Sequence, residues 1–348
     1  MGKTTLARML PDAAHWNCEL PSTRRALEDP ELFLGSQPPG RPVVLDEIHR
    51  LSDPSLVLKI AADEFPGLRL LATGSSTLAA TGKFRDSLTG RKETVALLPV
   101  LWEECAQPFG VGDLDRRLLH GGLPEELLRE RKRSGSFTEW VDGFYARDIL
   151  ELFQVRSRQG FLGLFRLLLR WSGGQIQIAR LSRIAGLSQP TVRRYLEALQ
   201  IAHAVHLVRP FHGGGIREIV ARPKGYAFDT GFVTLEKGWD RLRPDDRGIL
   251  WEHLVLDTLR SRHPDDRIFY WRDKAGREVD FVLLRARDRV DLIECKVDPD
   301  ELDGRAASVF RAHYPSGENF VVAPVVKAPY RIRRRGVVFT VCPAHGVV

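Results

Sequence analysis

At 348 residues the chain exceeds what a single hydrophobic core usually organises, and its formal charge of +7 is a modest basic excess that suits nucleic-acid or acidic partners without requiring them. No stretch approaches about eighteen consecutive apolar residues, and no apolar run follows Lys3 and Arg8, so neither a membrane span nor a signal peptide is read. Cys18, Cys105, Cys295 and Cys342 lack C-x-x-C spacing, which argues against a zinc site and a disulfide framework and makes a reducing cytoplasm the natural setting.

The chain opens Gly2-Lys3-Thr4-Thr5, ahead of a helical stretch from Thr5 to Leu10. This is the back half of a G-x-x-x-x-G-K-[ST] phosphate loop, in which backbone N–H groups wrap the phosphates, the lysine reaches the β and γ oxygens and the next hydroxyl binds Mg²⁺. The strand and glycines of the front half do not precede it. That strand is expected to be a central one, and four or five core side chains at roughly 1.5–3 kcal/mol each make about 6–15 kcal/mol. A domain's whole net stability is roughly 5–15 kcal/mol. The expectation is therefore that the true start lies upstream of Met1, with a decayed gene product as the next reading.

Pro42-Val43-Val44-Leu45 suits a buried parallel strand and ends in Asp46-Glu47. A carboxylate at that edge holds Mg²⁺, the role expected of Asp46, and the next polarises the attacking water, the role expected of Glu47. A second run, Leu68 to Ala72, leads into Thr73-Gly74-Ser75-Ser76, where Ser75 is expected to sense the γ-phosphate. Arg91 and Arg147 each carry two readings, an arginine reaching a γ-phosphate or a plain salt bridge. His49 is read as filling the edge of the cleft.

From Leu114 to about Phe211 the pattern is helical, with Leu162, Phe165, Leu168 and Leu169 at three- and four-residue steps. Ile178 to Leu199 reads as helix, glycine turn and helix, with Ser188 as the second N-cap, Val192, Leu196 and Leu199 buried, and Gln189, Thr191, Arg193 and Arg194 exposed. Ala204 to Val208 would supply a wing. Two readings stand for this helix-turn-helix, major-groove contact with DNA or packing against the rest of the protein.

In the last third, Arg277 to Leu283 and Val290 to Lys296 form two strands about a polar turn. Period 2 puts Glu294 and Lys296 on one face, and the hairpin can bring Asp280 opposite them. The helical stretch Leu250 to Leu259 can present Glu252 to the same point. This E…D…E-x-K order resembles the PD-(D/E)xK nuclease core. The likeness implies Mg²⁺ held by Glu252, Asp280 and Glu294, with Lys296 orienting or deprotonating water.

Nearly the whole chain resembles a prokaryotic AAA+ (P-loop) ATPase family with a C-terminal domain of unknown function, DUF4143. The motifs are Gly2-Lys3-Thr4-Thr5, Val44-Leu45-Asp46-Glu47-Ile48-His49, Ala72-Thr73-Gly74-Ser75-Ser76, Leu88-Thr89-Gly90-Arg91 and Tyr145-Ala146-Arg147-Asp148-Ile149. Farther on come Tyr226-Ala227-Phe228-Asp229-Thr230-Gly231, Trp251-Glu252-His253-Leu254-Val255, Glu278-Val279-Asp280-Phe281 and Ile293-Glu294-Cys295-Lys296. The resemblance implies an α/β protein with an ATPase core over 1–115, a helical lid and winged helix over 116–215, and a restriction-endonuclease-like α/β domain over 216–348. It implies ATP and Mg²⁺ as cofactors, Gly2, Lys3, Thr4, Thr5, Ser75 and Arg91 around the nucleotide, and Thr4 and Asp46 on the metal. DNA, a partner protein or further copies of the chain are the expected partners, with no membrane. Two alternatives to an ATPase coupled to a nuclease-like module are a Mg²⁺-dependent nuclease with a vestigial ATPase half and a non-catalytic DNA-binding regulator.

Overall fold

Apolar runs and capping residues account for the N-terminal elements. Helix α1 (Lys3–Arg8) starts at Gly2, whose left-handed φ of 76° is one that glycine takes without strain. Strands β1 (Ala14–Asn17), β2 (Val43–Asp46) and β3 (Leu70–Ala72) pair in parallel in the order β1-β2-β3. Between them lie α2 (Pro21–Ala26), α3 (Pro30–Gly35) and α4 (Pro54–Glu64). Asp29 and Asp53 cap α3 and α4 by accepting the N–H groups of Leu32 and Leu56, each at 3.0 Å, ahead of a proline in the first turn. Val43 and Leu45 are fully buried against Cys18, Phe33, Leu34 and Val57.

The computed structural model describes residues 2–74, 88, 90–145, 149, 155, 157–213 and 222–347. The chain divides into two units, Met1–Leu97 with Gly143–Gln154, and Leu98–Asp142 with Val155–Val348. The stretches 116–215 and 216–348, expected as separate domains, fall together in the second unit apart from 143–154.

A mixed sheet of nine strands among the described residues explains why. After α5 (Leu114–His120) come α6 (Arg158–Arg170), β4 (Gly174–Gln175), α7 (Ile178–Ala185), α8 (Gln189–Ile201), β5 (Val205–Pro210) and β6 (Lys224–Ala227). The chain continues through α9 (Thr230–Glu236), α10 (Pro244–Arg262), β7 (Ile268–Arg272), β8 (Glu278–Ala286), β9 (Arg289–Cys295), α11 (Arg305–His313), β10 (Asn319–Val322), β11 (Tyr330–Arg334) and β12 (Val337–Cys342). The strand order is β11-β12-β10-β9-β8-β7-β5-β6-β4. Strand β5 pairs antiparallel with β6 on one side and, in parallel, with β7 on the other, so the run expected to supply a wing is also an inner strand of the sheet.

Helix α7 ends at Gly186 with φ 63°, and Ser188 caps α8 by accepting the Thr191 N–H at 3.3 Å. Val192, Leu196 and Leu199 are buried as the period requires, and Tyr195 and Ala198 join them. In α10 the Trp251 side chain is fully buried, and its indole N–H donates to the Val322 carbonyl at 2.9 Å, tying the helix to β10.

Candidate functional site

At the C-terminal ends of the parallel strands, three side chains and one backbone N–H of the first unit join. Thr4, in the first turn of α1, donates to Asp46 Oδ1 at 3.2 Å, and the Thr73 hydroxyl donates to the same oxygen. Thr73 also accepts the Glu47 N–H at 3.2 Å, which links the two acids. Glu47 holds φ 56° and ψ 45°, a left-handed conformation that costs a non-glycine residue free energy and tends to persist where function requires it. Its carboxylate lies 3.2 Å from His49 Nδ1. Lys3 Nζ donates to the Gly74 carbonyl at 2.6 Å, while Thr5 is exposed.

A cavity of about 350 Å³ beside this group is lined by Thr4, Arg8, Asn17, Thr23 and Asp46 among others. A hydroxyl and a carboxylate in contact at its wall are hard oxygen donors, so Thr4 and Asp46 fit a Mg²⁺ ion. Arg91 is in a salt bridge, Nε to Asp63 Oδ1 at 2.6 Å. Ser75 and Arg147 lie outside the described residues. Thr73, quoted in the sequence motif without a role, is the hydroxyl that contacts both acids.

The second unit gathers the other predicted residues. The β8–β9 register that sets Phe281 against Ile293 continues to Asp280 and Glu294. Lys296, just past β9, sits 3.0 Å from Glu294 Oε2 and 3.4 Å from Asp280 Oδ2, and Asp280 also accepts the Cys295 N–H at 2.8 Å. Burial raises the Glu294 pKa, and the Asp280 charge raises it further. Burial acts to lower the Lys296 pKa, but Asp280 and Glu294 outweigh it and hold the ammonium charged. A groove of about 790 Å³ beside them is lined by Arg277, Glu278, Glu294, Lys296, Asp303 and Arg305 among others.

Glu252 is engaged from an unexpected direction. Lys224 of β6 is only 4% exposed and places Nζ 2.6 Å from Glu252 Oε1 and 2.7 Å from Glu278 Oε1. The Tyr226 hydroxyl donates to the same Glu252 oxygen. Burial and the Asp280 charge raise the Glu252 pKa, and Lys224 pulls it back. Among the described residues no three His, Cys, Asp or Glu side chains form a group able to hold a metal ion. The Mg²⁺ centre expected of Glu252, Asp280 and Glu294 does not fit the side chains as they stand, because each acid is already in an ion pair with a lysine. Sequence reasoning missed Lys224, and it quoted Tyr226 and Glu278 in their motifs without giving either a role.

The motif Phe228-Asp229-Thr230-Gly231 has a structural role. Asp229 is 2% exposed, caps α9 through the Gly231 N–H at 2.8 Å and accepts the Gly122 N–H at 2.6 Å. Arg117, fully buried, donates to the Val100 carbonyl at 2.9 Å and to Thr230 Oγ1 at 3.2 Å.

A Lys-Thr pair and an Asp-Glu pair meet at the end of a parallel sheet, and the chain carries an AAA domain followed by a C-terminal DUF4143 domain. Residues 1–106 match the AAA domain, and residues 247–345 match DUF4143. Residues 111–242 match a further domain of unknown function, DUF8612. Among curated proteins, an uncharacterized protein of Mycobacterium tuberculosis, Rv2008c, is 30% identical over 300 residues, as is Mb2031c of Mycobacterium bovis. Each alignment covers 82% of this chain, which spans 66% of the length of those relatives. The uncharacterized protein MJ1544 of Methanocaldococcus jannaschii is 24% identical over 242 residues, 63% of this chain and 53% of that one. Among solved structures, the Thermococcus gammatolerans assembly of McrB AAA+ hexamers with bound McrC aligns at a TM-score of 0.23 and 12% identity, over 53% of this chain and 49% of that one. Among the described residues no helix is long and apolar enough to cross a membrane.

Proposed function

We propose that the first unit binds and hydrolyses Mg-ATP, and that nucleotide state governs what the second unit engages. The observation that carries this reading is the hydrogen-bonded chain Thr4–Asp46–Thr73–Glu47 at the C-terminal ends of parallel strands. Lys3 exchanges the Gly74 carbonyl for phosphate oxygens, and Thr4 and Asp46 hold the metal. When bound, Mg²⁺ neutralises charge on the β- and γ-phosphates. Glu47 then orients the attacking water and takes its proton, with His49 against its carboxylate.

The test is Mg-ATP binding and turnover by the wild type, Glu47→Gln and Lys3→Ala. Glu47→Gln is expected to keep nucleotide binding and lose turnover by about 10²–10⁴, and Lys3→Ala to lose binding. Turnover unchanged in Glu47→Gln would remove Glu47 from the reaction and refute the reading.

A second reading, DNA engagement, has its own observation. The order α6-β4-α7-α8-β5-β6, with β4 and β5 flanking β6, supports a winged-helix reading, and α8 exposes Gln189, Arg193 and Arg194. Duplex DNA titrated by fluorescence anisotropy at several salt concentrations tests it. Replacing both arginines by alanine is expected to weaken binding and to flatten the salt slope by about 1 for each phosphate that an arginine no longer neutralises. No wild-type binding at low salt would sink it.

A further inference from the structure

Four carboxylates and two lysines meet in the second unit, and the lysines divide the acids between them. Lys296 takes Asp280 and Glu294, and Lys224 takes Glu252 and Glu278. We propose that Lys224 is the resident cation of this cluster, standing between Glu252 and Glu278 where a divalent ion would otherwise bridge carboxylates, so that the site works without metal and does not support metal-dependent phosphodiester cleavage.

The surroundings of Lys224 are built for an ammonium ion. Its Nζ lies 5.8 Å from the ring centroid of Tyr226 and 5.7 Å from that of Tyr270, within cation–π range, and its two carboxylate contacts are at hydrogen-bond length. The second carboxylate oxygen of Glu278 is taken by Arg272 Nη1 at 3.0 Å, and the Tyr226 hydroxyl saturates the Glu252 oxygen that Lys224 contacts. A metal ion entering here must displace a covalently tethered cation and strand that ammonium in a wholly buried strand, where an unpaired charge is costly. Burial lowers the Lys224 pKa, but Glu252 and Glu278 more than offset it, so the side chain stays charged and does not vacate the site by losing its proton.

The position of Lys224 has a structural consequence. It arrives on β6, the strand that also pairs with β5 after the helix-turn-helix, so one strand closes the acid cluster and belongs to the winged-helix segment. This inference is independent of ATP hydrolysis in the first unit.

The experiment is a Mn²⁺ titration of the full chain, counting bound ions by electron paramagnetic resonance, with circular dichroism as the folding control. Wild type, Glu252→Gln and Asp280→Asn are expected to bind the same number of ions. Lys224→Met is expected to gain one, and the double variant Lys224→Met/Glu252→Gln to lose it again. A wild-type ion lost in Glu252→Gln or Asp280→Asn overturns the proposal, and so does a folded Lys224→Met chain that gains none. If Lys224→Met does not fold, the comparison of wild type with the two acid variants decides by itself.

Discussion

Asp257 on α10 is 6% exposed, and burial raises its pKa from the ordinary 3.8 to about 7, with Arg117 and Arg260 acting against the rise and Asp229 adding to it. A folded-state pKa above the unfolded one means the protonated carboxyl is the form the fold accepts. The stability it contributes is fully present below about pH 4 and is lost as the pH rises through about 7. The gap from 3.8 to about 7, at about 1.36 kcal/mol for each tenfold step, amounts to about 4 kcal/mol. The substitution Asp257→Asn keeps nearly the same side-chain shape and leaves no proton to lose. The assay is urea unfolding of both chains at pH 5 and pH 8.5, followed by tryptophan fluorescence, which reports on the buried Trp251 of the same helix among others. Between the two pH values the wild type is expected to lose about 2–3 kcal/mol relative to Asp257→Asn, because only the interval from pH 5 to about 7 contributes. Midpoints that move in parallel would show that Asp257 does not ionise in the folded protein's environment as argued, and would refute the reasoning.

Other changes probe the elements that position the sites. Thr73→Val removes the hydroxyl shared by Asp46 and the Glu47 N–H, and leaves that N–H without its partner at about 1–3 kcal/mol; ATP turnover is expected to fall at least about tenfold, and an unchanged rate would assign the hydroxyl to folding alone. Gly121→Ala would place a methyl group 2.0 Å from Asp229 Oδ1 at a residue with φ 84°, so a loss of about 3 kcal/mol or more is expected in thermal unfolding. Ser188→Ala removes the N-cap of α8 and is expected to cost about 1 kcal/mol, read as a lower melting temperature with DNA affinity unaltered.

The sites read from sequence were those whose parts lie close together in the chain. Asp46-Glu47 closes the strand its apolar run announces, Gly186 and Ser188 mark the turn between α7 and α8, and Asp280, Glu294 and Lys296 come together because a single hairpin joins them. These are local matters of period, capping and register, which neighbouring residues determine by themselves. Ser75 lies outside the described residues, while Thr73, the residue after strand β3, reaches the end of β2 and contacts Asp46 and the Glu47 N–H.

What only the tertiary structure decided lies in contacts between distant segments. Lys224 meets Glu252 across 28 positions and Glu278 farther on, although β6 pairs with β4 and β5 and not with β8, and no local pattern encodes that approach. The same holds for β5, which local periodicity reads only as a strand that would supply a wing. Its second edge finds β7 only after the chain between them has folded, so the continuity of the sheet and the neutralisation of the acid cluster by lysine were settled by packing. The sequence by itself determined the strand that carries Asp46-Glu47 in the first unit and the two helices about Gly186 in the second. The fold decided which cation the buried carboxylates would have, because a charge in the interior must be paired by whatever the topology brings to it.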